Sequence, residues 1–400
     1  MIGQPDQRRP AGATALGSAA SGATALGSTV LGVTALGAAM ALAPCTPAAA
    51  EVVPERGSIS FRYLDYVDRQ PDLERIRIKA PAVLLTVPIA GAWLVEGSYV
   101  ADAVSGASPA YHTVVRSAAK ITDRREAVSA GLTRYSPWGT LKVGAAFSTE
   151  SDYVSRALSA QGSIASEDKN TTVNFGVGIT RDSINPVNLR TADETKRTNE
   201  ATLGITQVVT PVDLVQLSVS LAHGSGYFSD PYKLLDERPR QRDQRIVMLR
   251  WNHHFEGVEG TTRVSYRHYT DTWDVKSHTL TLEYVQPLET GWTLTPVLRI
   301  YSQSAARFYR DVNPAAPTRI SVPPGYEPGV TELSFDQRLS AFGARTFGLK
   351  VAKQINADWQ VDVKFERYEQ RSGWNLNGSA SPGLANFSAR MVQAGITRQF

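Results

Sequence analysis

Thr172-Val-Asn-Phe-Gly-Val-Gly-Ile-Thr180 decides the fold. Successive side chains of an extended chain point to opposite sides. Val173, Phe175, Val177 and Ile179 therefore share one face, and Asn174, Gly176, Gly178 and Thr180 the other. The same pattern recurs in 213–221, where Val215, Leu217, Val219 and Leu221 oppose Gln216, Ser218 and Ser220. In 278–284, His278, Leu280, Leu282 and Tyr284 oppose Thr279, Thr281 and Glu283. In 359–366, Trp359, Val361, Val363 and Phe365 oppose Gln360, Asp362, Lys364 and Glu366. Charges and glycines in mid-strand suit a polar lumen; in a sandwich core each unpaired charge would cost several kcal/mol.

The connections sort by length. Short ones fall at Ala90-Gly91, Ser136-Pro137, Lys169-Asn170, Thr210-Pro211, Gly257–Gly260, Glu289–Gly291 and Asn356-Ala357. Between them lie long polar excursions near 104–120, 182–197, 225–243, 305–336 and 371–386. A bacterial outer-membrane barrel pairs short periplasmic turns with long extracellular loops. The chain is thus expected to be all-β: a transmembrane antiparallel up-and-down β-barrel of outer-membrane type. About sixteen strands fit, near 57–67, 73–88, 92–103, 121–135, 138–149, 153–166, 169–181, 198–209, 212–224, 244–256, 260–271, 274–287, 291–304, 337–353, 358–370 and 387–400. The segment 73–88 fits least well, since Pro81 interrupts it and Ala82–Val87 is apolar on both faces, so fourteen or eighteen strands stay open. Trp93, Trp138, Trp292 and Trp359 each follow a short turn, where an interfacial aromatic girdle belongs. The chain ends on Phe400, with Ile396, Ala394 and Val392 at alternate positions, like the terminal signal read by the outer-membrane assembly machinery; Arg398 departs from it.

Residues 1–50 form a different unit. A polar start with Arg8 and Arg9 precedes three decapeptides, AGATALGSAA, SGATALGSTV and LGVTALGAAM, and Ala48-Ala49-Ala50 stands before Glu51. This predicts a signal peptide of 1–50 with a low-complexity apolar repeat, and a barrel of 51–400 exported to the bacterial outer membrane. Pro44 before Cys45 argues against a lipid-attachment box. Beyond the leader no apolar run approaches the ~20 residues of a membrane helix. Net charge is +4, and because 1–50 hold two arginines and one aspartate the remainder carries +3, too little to suggest nucleic acid as a partner. Cys45 is the single cysteine, so the mature chain has no disulfide or thiolate ligand.

Six histidines raise a metal hypothesis, but His253 and His254 are adjacent in a strand and point to opposite faces. His254 is expected in the lumen, and His253, His268 and His278 on the outer face near a rim. No catalytic residues are expected: the chain has no Gly-x-Ser-x-Gly elbow and no His-Glu-x-x-His helix. Ser229-Asp230 near His223 is the nearest thing to a triad fragment.

Alternation points Glu96, Lys142, Glu200, Arg250, Arg263, Arg267, Glu283, Arg299, Lys350, Asp362, Lys364 and Glu366 inward. These mixed charges either line a selective channel or brace the barrel as ion pairs. In the loop around 225–243, Lys233, Arg238, Arg240 and Arg242 either form a cationic constriction or pair with Asp230, Asp236, Glu237 and Asp243. In the second reading they pack the loop or grip lipid phosphates.

Gly226-Tyr-Phe-Ser-Asp-Pro-Tyr-Lys233, Ser265-Tyr-Arg-His-Tyr-Thr-Asp-Thr-Trp273, His278, Tyr301-Ser-Gln-Ser-Ala-Ala-Arg-Phe-Tyr309 and Asp336-Gln-Arg-Leu-Ser-Ala-Phe-Gly-Ala344 resemble a bacterial family of outer-membrane barrels, domain of unknown function 3570. Ser105-Gly-Ala-Ser108 and Ser148-Thr-Glu-Ser-Asp-Tyr153 are similar as well. The resemblance implies a barrel and brings no activity or catalytic residue. It also hints at an envelope redox or lipoprotein partner, although no flavin-attachment or haem motif is present and no cofactor is expected. The function expected is a channel for small polar or charged solutes, its mouth gated or plugged by the 225–243 and 305–336 loops. The alternative is a plugged barrel anchoring a periplasmic partner. A rim hydrolase is the remaining and weakest reading.

Overall fold

The computed structural model describes residues 52–70, 73–106, 121–233, 235–313, 322–376, 378 and 380–400. The leader expected at 1–50, with Cys45, lies outside the described residues, as do 107–120 and 314–321 of two expected loops. Sixteen strands form one closed barrel. They are β1 Ser58–Gln70, β2 Leu73–Ile89, β3 Trp93–Gly106, β4 Ile121–Ser136, β5 Gly139–Thr149, β6 Tyr153–Ala165, β7 Thr171–Ile184 and β8 Glu194–Thr210. The second half comprises β9 Asp213–Gly226, β10 Gln241–Phe255, β11 Gly260–Asp271, β12 Lys276–Pro287, β13 Trp292–Gln303, β14 Phe342–Gln354, β15 Trp359–Arg371 and β16 Phe387–Gln399. Every strand pairs antiparallel with its sequence neighbours, and β1 closes on β16 from Ser58↔Gln399 to Arg69↔Ser388. Closure leaves no unpaired edge, which is what a strand-built membrane span requires. Sixteen strands ~4.8 Å apart, tilted by ~40°, make a cylinder about 30 Å across.

The alternating faces follow the register. Phe61, Tyr63, Val83, Tyr99, Val128, Phe147, Leu158, Ile179, Leu203, Val219, Val247, Tyr266, Leu280, Ile300, Phe347, Phe365 and Val392 form a continuous outward apolar surface around the ring. A surface of this extent facing water would be strongly unfavourable, so the architecture is a transmembrane barrel of outer-membrane type. At the short-turn end, Trp93, Trp292 and Trp359 open β3, β13 and β15, and Trp138 sits in the β4–β5 turn. Arg134 lies 5.4 Å from the Trp93 ring, Lys353 5.1 Å from Trp292 and Arg398 5.6 Å from Trp359. Arg398 is thus an outward interfacial cation of that girdle. Phe400 joins the seam through reciprocal backbone bonds with Gly57, of 2.9 and 3.0 Å. A Cβ at Gly57 would crowd the Phe400 ring.

Three details differ from the expectation. First, β2 is intact. Pro81 pairs with Tyr63 on one side, while the β2–β3 ladder skips from Lys79↔Ala103 to Ala82↔Val100. A residue without an N–H is accommodated where a ladder bond is missing. Second, β14 begins at Phe342 rather than 337. Gln337–Leu339 is a 3-10 turn capped by Asp336, whose carboxylate accepts from the Arg338 amide. Third, the connections at the long-loop end are not all long. Those after β1, β5 and β11 span only 71–72, 150–152 and 272–275. The strands also run past the apolar band: β7 reaches Ile184 and β8 starts at Glu194, so the expected 182–197 loop shrinks to 185–193.

Candidate functional site

The site is the barrel's long-loop mouth and the inner wall beneath it. The described parts of loops 227–240 and 304–341 fold toward each other and share backbone pairing. Glu237 exchanges bonds of 2.7 and 2.9 Å with Leu333, and Ser334 continues the pairing to Phe308 and Arg310. Their apolar underside is built on Trp273, which is 1% exposed. Phe228 and Phe308 meet its ring edge-on at 5.4 and 5.3 Å, Arg242 lies over it at 4.1 Å, and its Nε1 donates to the Gln241 carbonyl at 2.9 Å. The third loop closes over the top: the Gly383 amide donates to Asp311 at 2.8 Å and the Ala341 amide to Ser381 at 2.9 Å.

At the centre lies Asp336, fully buried. Its carboxylate takes Arg238 at 2.6 Å, Lys233 at 2.7 Å and Arg338. Arg338 also reaches Asp230 at 3.0 Å, and Arg238 reaches Asp236 at 2.9 Å. Asp236 accepts from the Ser334 hydroxyl and, at 2.5 Å, from the Asp230 amide. Three acids and three bases balance, which is how charge survives burial. Burial alone would raise the Asp336 carboxyl; Arg338, Lys233 and Arg238 outweigh it and hold the group well below the usual carboxylate range. Burial lowers the Lys233 ammonium, with Asp336 opposing. For Arg238 and Arg338 burial is outweighed by their aspartates, and both guanidinium pKa values rise.

This cluster lies over the lumen. Arg238 comes from the β9–β10 loop, while Arg75 on β2, within electrostatic reach of Asp336 and Arg338, stands eight strands away in a ring of sixteen. Arg75 is itself buried, 3.8 Å from Asp68 and 4.9 Å from the Phe387 ring.

The loop candidates resolve individually. Asp230, Lys233 and Arg238 belong to the buried cluster. Arg240 makes a two-pronged pair with Glu194, both bonds 2.7 Å. Arg242 pairs with Asp271 at 2.6 Å. Each cation of the Arg-rich loop thus has a carboxylate partner. Ser229 donates no proton toward His223: its hydroxyl accepts from the Arg238 amide, while His223 meets Asp243 at 2.5 Å.

The register sets all twelve alternation-assigned charges on the inner wall, with Glu200 on β8 between Gly178 and Ala222. Glu96 pairs with Lys142 on the β3–β5 side. On β15, Asp362 takes Arg62 at 3.4 Å and Lys364 takes Glu366 at 3.1 Å, all four little exposed. Between these, β10 to β14 carry a largely cationic wall. Arg250 approaches Gln216 at 3.5 Å, Arg263 stands opposite Glu283, Arg267 lies 5.5 Å from the Tyr269 ring, and Arg299 and Lys350 continue the surface. Glu283 is the one acid among these wall candidates. His254 shares the inner parity and accepts or donates to Thr261 at 3.1 Å. His253 pairs with Asp213 at 2.8 Å on the outer face, and His268 and His278 are ring neighbours at 4.7 Å there.

One feature was missed in the sequence: a tyrosine collar beneath the mouth. Tyr66, Tyr269, Tyr301 and Tyr368 face inward, and each hydroxyl donates to the Asp or Gln two residues on, at 3.2, 2.7, 2.6 and 2.7 Å. The repeated Tyr-x-Asp/Gln spacing on one strand face was the legible signal.

A family model described as a protein of unknown function, DUF3570, matches residues 115–391. Among curated proteins none matches the chain. Similar solved structures include a bacterial polysaccharide outer membrane secretin, with 10% identity, 86% of this chain and 98% of that chain covered, and TM-score 0.49. A Pseudomonas aeruginosa protein, OccK2 (OpdF), solved with glucuronate, gives 12%, 86%, 98% and 0.42. The CymD monoaromatic hydrocarbon channel gives 8%, 89%, 91% and 0.44.

Proposed function

The chain belongs to the DUF3570 family, and we propose that it is an outer-membrane channel for small polar solutes, with a preference for anions. Its mouth is constricted by the 227–240, 304–341 and 372–386 loops. The observation that carries this reading is the one-sided inner wall. Arg250, Arg263, Arg267, Arg299 and Lys350 face a lumen whose opposite side is lined by Ser98, Ser129, Ser159, Gln161 and Asn174, all partly open to water, beside the self-paired Glu96–Lys142 and Asp102–Arg125 and the acid Glu200. Cations fixed in a narrow, low-dielectric passage raise the local concentration of anions and lower their entry barrier. The tyrosine collar, its hydroxyls held by Asp68, Asp271, Gln303 and Gln370, stiffens the wall under the mouth.

A second reading is favoured by the Asp336 cluster: a barrel whose mouth stays sealed and which serves as an envelope anchor for a periplasmic partner. Reconstitution into planar bilayers separates the two. The channel reading expects discrete ohmic steps in potassium chloride. Folded protein that inserts and never conducts would leave the anchor reading standing. Recognition of Phe400 by the assembly machinery, and embedding of the apolar band in membrane lipid, belong to both readings.

A further inference from the structure

We propose that Arg156, Arg181 and Arg197, in register on the outer face of β6, β7 and β8, form a binding site for lipid phosphate groups in the leaflet at the long-loop end. Arg156 is paired directly with Arg181, and Arg181 directly with Arg197. Residues so opposed hold their Cβ atoms about 5 Å apart, and like charges at that spacing destabilise a sheet. All three are exposed, and among the described residues none forms an ion pair. Arg156 lies 5.9 Å from the Phe147 ring, and Arg197 donates to Asn199 at 3.1 Å. Elsewhere on the outer face near this rim, Arg345 meets Glu369 at 3.0 Å and Arg124 meets Glu126 at 2.9 Å, while Arg245 and Arg390 are exposed without an ion pair among the described residues. What sets the row apart is three arginines in direct register on three consecutive strands with no acid among them; the opposed pair Arg367 and Arg390 has Glu369 beside Arg367.

Its height identifies the occupant. On β7 the outward positions run from Thr171 through four apolar residues to Arg181. Ten residues at ~3.3 Å are about 33 Å of strand, or about 25 Å of height at a ~40° tilt, the thickness of a barrel's apolar band. The row thus sits where hydrocarbon gives way to headgroups. Guanidinium forks match phosphate oxygens two at a time, and a phosphate between them relieves the repulsion along the row. At the opposite boundary Arg134, Lys353 and Arg398 are singly placed, each over a tryptophan. The proposal needs only a membrane-spanning barrel and is independent of conductance.

The test is native mass spectrometry of the full barrel in detergent micelles, with bisphosphorylated lipid A as probe and its dephosphorylated form beside it. Wild type is expected to retain lipid A. R156Q/R181Q/R197Q should lose affinity on the order of tenfold or more, since each cation at a lipid surface contributes appreciably. R134Q/K353Q/R398Q, which removes as much charge at the other boundary, should bind as wild type does. Dephosphorylated lipid A should bind wild type no better than phosphorylated lipid binds the triple variant. Equal binding of lipid A by wild type and the row variant would overturn the proposal, as would equal binding of the two lipids by wild type. Displacement by inorganic phosphate at matched concentration would also overturn it, by assigning the row to a free anion. Thermal unfolding in lipid-free detergent supplies a second readout: relief of repulsion predicts a row variant at least as stable as wild type, and a lower midpoint would mark a structural role instead.

Discussion

Replacing Asp336 with Asn should open the barrel's mouth without unfolding the barrel. The carboxylate is fully buried and joins Lys233, Arg238 and Arg338. Asn keeps the size and removes the charge, leaving three buried cations to two carboxylates, Asp230 and Asp236. Removing one partner of a buried ion pair typically costs ~3–5 kcal/mol. That cost falls on the packing of loops 227–240 and 304–341 rather than on the ladder hydrogen bonds of β1–β16. The population of loop-open states should accordingly rise by about two to nearly four orders of magnitude, at ~1.4 kcal/mol per tenfold. Hydrogen exchange would report faster labelling confined to 227–240 and 304–341, and bilayer recordings would report longer or larger open states. Unchanged exchange in both loops would refute the assignment of Asp336 as the node that holds them. The pH dependence has a definite sign. Because the folded carboxyl lies below its ordinary value, its contribution is full above that value and is lost only as pH falls beneath it. The mouth should stay closed from pH 7 to about 4 and loosen only in stronger acid. Loosening between pH 7 and 5 would contradict the cation-stabilised carboxylate.

Three further outcomes follow from particular contacts. Lys196→Met should leave buried Asp182, 3.1 Å from the ammonium, without its cation, lowering barrel stability by ~3–5 kcal/mol in urea unfolding; D182N/K196M should recover part of the loss. Gly343→Ala places a methyl against the Trp374 carbonyl, so the 372–376 turn should lift from the outer wall and release Trp374 from Arg345 and Arg371; a red-shifted tryptophan emission in an otherwise folded barrel would register this. Arg263→Gln with Arg299→Gln should reduce anion preference while the barrel's folded electrophoretic mobility stays unchanged; an unaltered preference would remove these two from the selectivity wall.

The strand number and the inward or outward parity of each side chain were legible because a period of two is written locally, as in Val173, Phe175, Val177 and Ile179. Strand ends were less so. β1 runs on to Gln70 and β8 begins at Glu194, where polar residues still pair but no longer alternate with apolar ones. The mouth was legible only in part. The 225–243 loop showed its charges, but Arg238 and Asp336 are ninety-eight residues apart, and no local pattern says which acid will meet which base. The arginine row was hidden for a related reason: Arg156, Arg181 and Arg197 look like ordinary strand-end polar residues until register sets them side by side.

The reversal potential of wild-type protein in a planar bilayer, under a tenfold potassium chloride gradient, tests the account most directly. A cationic wall predicts a potential whose sign reports chloride moving more readily than potassium, diminished in R263Q/R299Q. A potential of the opposite sign, or folded and inserted protein that carries no current, would contradict it.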